Sequence, residues 1–239
     1  MKNQKLCIFF NTKSLIDAAI QAAAKVRGYH IVEILEDTII HFDTPLSDRV
    51  DLFKSKLESL KLNNLINTRL IYVPKMFTEH DADIEHYRST LNSLLNPIAL
   101  SLAYSMLCKK SSDNRIIFIG SVKGYDFNKI NAKEVKVKNM YKELAHLSHE
   151  AQLDGSLNST TKFLALNLAD SGINVNLAMF GPIKGVYSDK VLKLYQDKSV
   201  SGLPINVDDI SDSLDIFIDP LNTYMTGQVI KFDGGVSIW

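Results

Sequence analysis

Apolar residues fall along the chain in short blocks that alternate with longer amphipathic stretches. Residues 5–10 (KLCIFF) form a compact apolar run and predict a buried strand. Ser14 then stands where a helix N-cap belongs, with Asp17 at the reciprocal capping-box position. That helix carries an Ala/Ile face through Val26 and stops at Gly28. Residues 30–35 and 38–42 are two β-rich runs separated only by Glu36 and Asp37, so they form either one long strand or a hairpin. Residues 47–62 predict a helix with Ser47 as its N-cap. A strand at 69–73 is followed by a long helix at 84–110, interrupted near Pro97, and a strand at 115–119. Residues 126–140 are polar and irregular, and the sequence does not say how 126–150 fold. A long helical stretch at 144–169 is closed by Ser171 and Gly172; a strand at 174–178, a helix at 207–218 and a last strand at 229–232 complete the chain. Strands alternating with helices predict an α/β fold with a doubly wound parallel sheet. No repeat, low-complexity tract or linker divides residues 1–239, so a single domain is expected.

Charge narrows the partners. Lys+Arg and Asp+Glu balance at 27 each, which implies neither nucleic acid nor an anionic membrane surface. The two cysteines, Cys7 and Cys108, cannot build a disulfide framework; Cys7 reads as a buried free thiol in a reducing compartment. The first apolar run is too short for a signal peptide or a membrane span, and the stretch 97–108 is broken by Ser101 and Ser105. A soluble, cytoplasmic protein is the expectation. His146 and His149 share a helical face without a third ligand, and His30, His41, His80 and His86 are scattered, so no metal is expected.

Four segments, in order, carry a family resemblance. Residues 115–124 (RIIFIGSVKG) resemble the strand that ends in the active-site serine of the short-chain dehydrogenase/reductase family. Residues 164–176 (LALNLADSGINVN) resemble that family's helix and following strand, Gly181-Pro182-Ile183 its PGxI loop, and Thr226-Gly227-Gln228 with Asp233-Gly234-Gly235 its closing TGQ and DGG. The resemblance samples the second half of the chain and implies a Rossmann-like sheet. Fold alone does not give function.

The residues that touch cofactor in that family are replaced. Aligned on Gly28, the TGxxxGxG turn places its threonine on Phe10 and its glycines on Asn11, Leu15 and Asp17. Glycines there admit the pyrophosphate to the positive helix end. A leucine blocks that approach and an aspartate repels it, so the segment reads as a well-capped helix. The acidic ribose ligand would fall near Leu35 or Glu36, the latter read as a turn residue; the adenine-supporting NNAG corresponds to Val73-Pro74-Lys75-Met76. The two-residue break between 30–35 and 38–42 leaves no room for the crossover helix that walls the adenine pocket. In the nicotinamide loop, Phe180 stands for the usual proline, and the following threonine is absent from Lys184-Gly185.

The family's chemistry also needs a tyrosine acid, a lysine four residues on, a serine and an asparagine. A phenol near pKa 10 is a poor acid at neutral pH without a cation beside it. Ser121 matches the serine, and Asn92, or Ser93 with a one-residue loop difference, the asparagine. Counting back from Gly172 puts the tyrosine and lysine on Glu150 and Asp154, a frame supported by Gly155, Leu157, Lys162, Leu164 and Ala165; both carboxylates read as a solvated helix face. A literal YxxxK stands instead at Tyr125–Lys129, in the polar stretch whose Lys133, Lys136, Lys138 and Lys142 read as surface.

What survives builds the sheet and the long helix; what is lost touches cofactor. The leading expectation is a non-catalytic subunit, without bound cofactor, that supports an active short-chain dehydrogenase/reductase or pairs with itself. The resemblance suggests hydroxyacyl or ketoacyl thioesters as the substrates of such a partner. Two alternatives stand beside it: an active NAD(P)-dependent reductase using Ser121, Tyr125 and Lys129, and a small-ligand module in the cleft near Ser121 and Gly181.

Overall fold

The computed structural model of the chain describes residues 5–11, 15–35, 40, 43–74, 84–110, 113–122, 137–187 and 189–238, and of residues 11, 15, 35, 84–90, 137–150, 190, 191 and 194 the backbone alone. Six strands form one sheet: β1 (Leu6–Asn11), β2 (His30–Leu35), β3 (Thr68–Tyr72), β4 (Asn114–Ser121), β5 (Ile173–Phe180) and β6 (Val229–Phe232). Their order is β2-β1-β3-β4-β5-β6 and every pairing is parallel. The helices are α1 (Leu15–Val26), α2 (Leu46–Ser59), α3 (Ile84–Leu107), α4 (Val137–Asn167), α5 (Asp189–Lys198) and α6 (Val207–Ile218).

Strand side chains alternate between two cores, as a period of two requires. Ile8, Phe10, Leu70, Tyr72, Ile116, Phe118, Val175 and Leu177 face α2, α3 and α4. Cys7, Phe9, Ile71, Ile117, Ile119 and Ala178 face α1 and α6. Burial on both faces explains why the strands read as unbroken apolar runs. Left-handed glycines turn the chain from helix to strand at Gly28 (φ 79°) and Gly172 (φ 69°).

Several boundaries differ from expectation. α2 begins at Leu46 after an N-cap at Pro45, so Ser47 lies inside the first turn and bonds Asp48 instead. α3 runs through Pro97 without a break. Pro97 withdraws one backbone donor, a penalty of about 3 kcal/mol, but α3 is held on three sides and Ser101 Oγ donates back to the Pro97 carbonyl at 2.6 Å. β2 ends at Leu35; of the second β-rich run only Ile40, which is buried, is described, and residues 38, 39, 41 and 42 lie outside the described residues. The irregular reading of 126–140 fails at its end, because α4 starts at Val137; residues 126–136 lie outside the described part. α5 was not legible at all.

Below the N-terminal edge of the sheet sits a buried charge centre. Arg69 on β3 and Arg115 on β4 are register partners, with 0% and 2% exposure. Both reach Asp113 Oδ1, at 2.6 and 3.2 Å. Arg69 also donates to the Ile218 carbonyl at 3.0 and 3.1 Å, and Arg115 to that of Phe217 at 2.8 Å. These carbonyls close α6, where the helix dipole favours cations. Tyr29 lies under the Arg69 guanidinium at 5.2 Å and donates to Ile218 O. Burial, and then the neighbouring Arg69, push the Arg115 pKa down from its ordinary value.

Removing the shared carboxylate leaves two buried cations without a counter-charge. Asp113→Ala is expected to cost about 3 kcal/mol, read as a lower urea midpoint with an unchanged transition slope. A midpoint within experimental scatter of the parent would show that the charge centre is not needed.

Candidate functional site

In a sheet whose strand order reverses, the crevice opens beyond the strand C-termini at the reversal. Here β1 is flanked by β2 and β3, so the crevice lies beyond Asn11 and Val73. The resemblance places three lost glycines at this point, and the structure puts those positions at the β1–α1 junction: Asn11 ends β1, Leu15 opens α1, and Asp17 occupies its first turn. Asp17 is 3% exposed. A carboxylate buried in the first turn already complements the positive helix end that a diphosphate would use. Val73 and Pro74 are buried; Lys75, Met76, Glu36 and Asp37 lie outside the described residues.

The second half of the site gathers at the end of β4. Ser121 is half-buried as the last residue of the strand. Its backbone N–H donates to Asp154 Oδ1 at 3.2 Å. Asp154, on α4, is 4% exposed, which overturns the reading of a solvated helix face. It lies three residues before Leu157 and next to Leu153, both core residues, so the helix turn that buries them buries it too. The fit is close, since a Cβ at Gly120 would stand 3.4 Å from Asp154 Oδ1. A carboxylate therefore occupies the position that the resemblance assigns to a lysine. Glu150 lies one turn earlier on α4 with its side chain outside the description, and Tyr125 and Lys129 fall outside the described residues.

Asn92 and Ser93 lie in different surroundings. Asn92 Oδ1 accepts from Arg49 at 2.8 Å, and its Nδ2 donates to the Ile40 carbonyl at 3.1 Å. Asn92 is thus committed to α2, whose fully buried Arg49 also bonds Asn96 Oδ1 at 2.8 Å and the Thr44 carbonyl at 2.9 Å. Ser93 is the residue that looks toward the sheet. It shares a helical stripe with Leu100 and Tyr104, and Tyr104 hydroxyl bonds Thr68 Oγ1 at the start of β3. Eleven helical residues back from Tyr104 is about 16 Å, the rise of about five strand residues from Thr68 to Val73. Ser93 Oγ, fully buried, has no hydrogen-bond partner among the described residues.

At the end of β5, Phe180 stacks on Phe232 with centroids 5.3 Å apart. Gly181 donates to the Phe232 carbonyl at 2.8 Å, and a Cβ there would lie 3.0 Å from Asp233 Cα, which is why the loop keeps a glycine. Lys184 and Gly185 are exposed. Among the described residues no group of His, Cys, Asp and Glu side chains could hold a metal, and no helix is long and apolar enough to cross a membrane. Both cysteines are free; burial pushes the Cys7 thiol up to about 12 against the opposing charge of Arg69, and burial pushes Cys108 up to about 12.

Comparison with known proteins agrees with this architecture. Residues 146–237 match the family of enoyl-(acyl carrier protein) reductases. The chain is 29% identical over 143 residues to a chloroplastic tropinone reductase homolog of Arabidopsis thaliana, covering 57% of this chain and 39% of that one. It is 26% identical over 192 residues to the 3-oxoacyl-(acyl-carrier-protein) reductase FabG of Buchnera aphidicola, covering 78% and 70%. The chain therefore spans between 39% and 70% of the length of these relatives. A short-chain dehydrogenase/reductase from Serratia marcescens superposes with a TM-score of 0.70 at 16% identity, covering 98% of each chain. A Burkholderia cenocepacia short-chain dehydrogenase in complex with NADP gives 0.70 at 16% identity, again with 98% of each. At such identities the likeness is one of fold.

Two measurements follow from the geometry. Asp154→Ala leaves the Ser121 N–H without this acceptor and is expected to cost about 2 kcal/mol, whereas Asp154→Asn keeps an acceptor and costs less than about 1; equal urea midpoints for both variants would show the contact to be idle. The thiols give a pH dependence. Below the ordinary thiol value of 9.0 native and unfolded chains both hold the proton; from there to about 12 only the native chain does. Stability therefore falls as pH rises through that window, by at most about 1.4 kcal/mol per pH unit for each thiol. Urea midpoints of Cys7→Ala between pH 8 and 10.5 should fall less steeply than those of the parent, and identical slopes would contradict the assignment.

Proposed function

We propose that this chain is a non-catalytic member of the short-chain dehydrogenase/reductase family that serves as a subunit of an oligomer. The observation that carries the proposal is Asp154. A buried carboxylate bonded to the end of β4 stands where the family resemblance calls for a lysine beside the reacting phenol. An anion there raises the pKa of a neighbouring phenol instead of lowering it. Asp17 supports the same reading at the dinucleotide end, because its carboxylate sits in the first turn of α1 where a pyrophosphate would dock.

Assembly is the retained role. α3 and α4 pack side by side. α3 carries Leu91, Leu95, Ile98, Leu102 and Met106 at spacings that hold them on one face, with Leu91 and Met106 exposed and the others half-buried. On α4, Phe163 is 55% and Leu166 79% exposed. Apolar stripes of this kind on a soluble surface are the kind that partners cover. We assign them to a second subunit of the same fold, either another copy or an active reductase. The relatives named as acyl-carrier-protein reductases support acyl thioesters as the substrate class of such an active partner.

Calorimetric titration of NADH and NADPH into the concentrated protein tests the first half: no binding heat is expected at millimolar cofactor. Micromolar binding would overturn it and favour the reductase using Ser121, Tyr125 and Lys129, which Tyr125→Phe kinetics would then examine. Sedimentation tests the second half. Phe163→Asp with Leu166→Asp should convert an oligomer to monomers that keep the parent circular dichroism, and a monomeric parent would remove the assembly role.

A further inference from the structure

We draw no further inference here: the strongest candidate, the outer edge of β2 (His30–Leu35), which among the described residues pairs with β1 alone, carries nothing because nothing in the structure shows what covers it.

Discussion

Two guanidinium groups buried side by side are tolerable only if something negative is buried with them, and this requirement organises the lower half of the molecule. Arg69 and Arg115 stand opposite each other on β3 and β4, so their positions follow from the strand register. One carboxylate, Asp113, is shared between them, and each guanidinium also donates to one of the last carbonyls of α6. Those carbonyls would otherwise be unsatisfied at a buried helix end. The charge centre thereby fixes α6 against the base of the sheet. α6 packs on α1, and Arg27 at the end of α1 closes the pair through Asp215, with its NH1 3.7 Å from Asp219. The base of the sheet thus decides where α1 lies, and with it where the N-terminus of α1 meets the crevice at the top.

The top of the sheet has the opposite sign. Helix N-termini and strand C-termini meet there, a geometry that in this fold class attracts anions. This chain places its own carboxylates at that edge: Asp17 within the first turn of α1 and Asp154 against the last residue of β4. Asp154 answers the Ser121 N–H, and each places a carboxylate where a phosphate or a lowered phenol pKa would need positive charge. The electrostatics of the proposed non-catalytic role and the stability of the two junctions are therefore one feature.

How far the sequence revealed this depends on the residue type. β6 and α6 were legible to the residue, because an apolar block and an apolar stripe bounded by polar residues have few other solutions. The long helix was legible as a helix but not in its start, since Lys138, Asn139, Lys142 and Glu143 break up the apolar residues there. α5 was missed because its amphipathic pattern is only ten residues long. Asp154 reads from the sequence as part of a solvated helix face, whereas it is buried. Carboxylates are rarely buried, yet its position three residues before Leu157 and one after Leu153 would have turned it inward. The different surroundings of Asn92 and Ser93 were not legible by counting, because Arg49, forty-three residues earlier, claims Asn92 for α2.

Asp154 also ties the two halves of the proposed role together. α4 spans thirty-one residues and touches β5 along its C-terminal part. Its register against the sheet is set at two places: by the core residues Leu164, Ala165 and Leu168, and by the Asp154 contact with Ser121. A lysine at 154 would have to extend toward the cleft to keep its charge hydrated, whereas the aspartate turns in and bonds the strand end. The exchange removes a cation from the cleft and adds a strut between α4 and β4. The outer face of the same helix, with Phe163 and Leu166, is then held at a fixed angle to the sheet. A rigid apolar face binds a partner with less ordering entropy than a mobile one, so in the proposed role one residue, Asp154, bears on both the cleft and the assembly face.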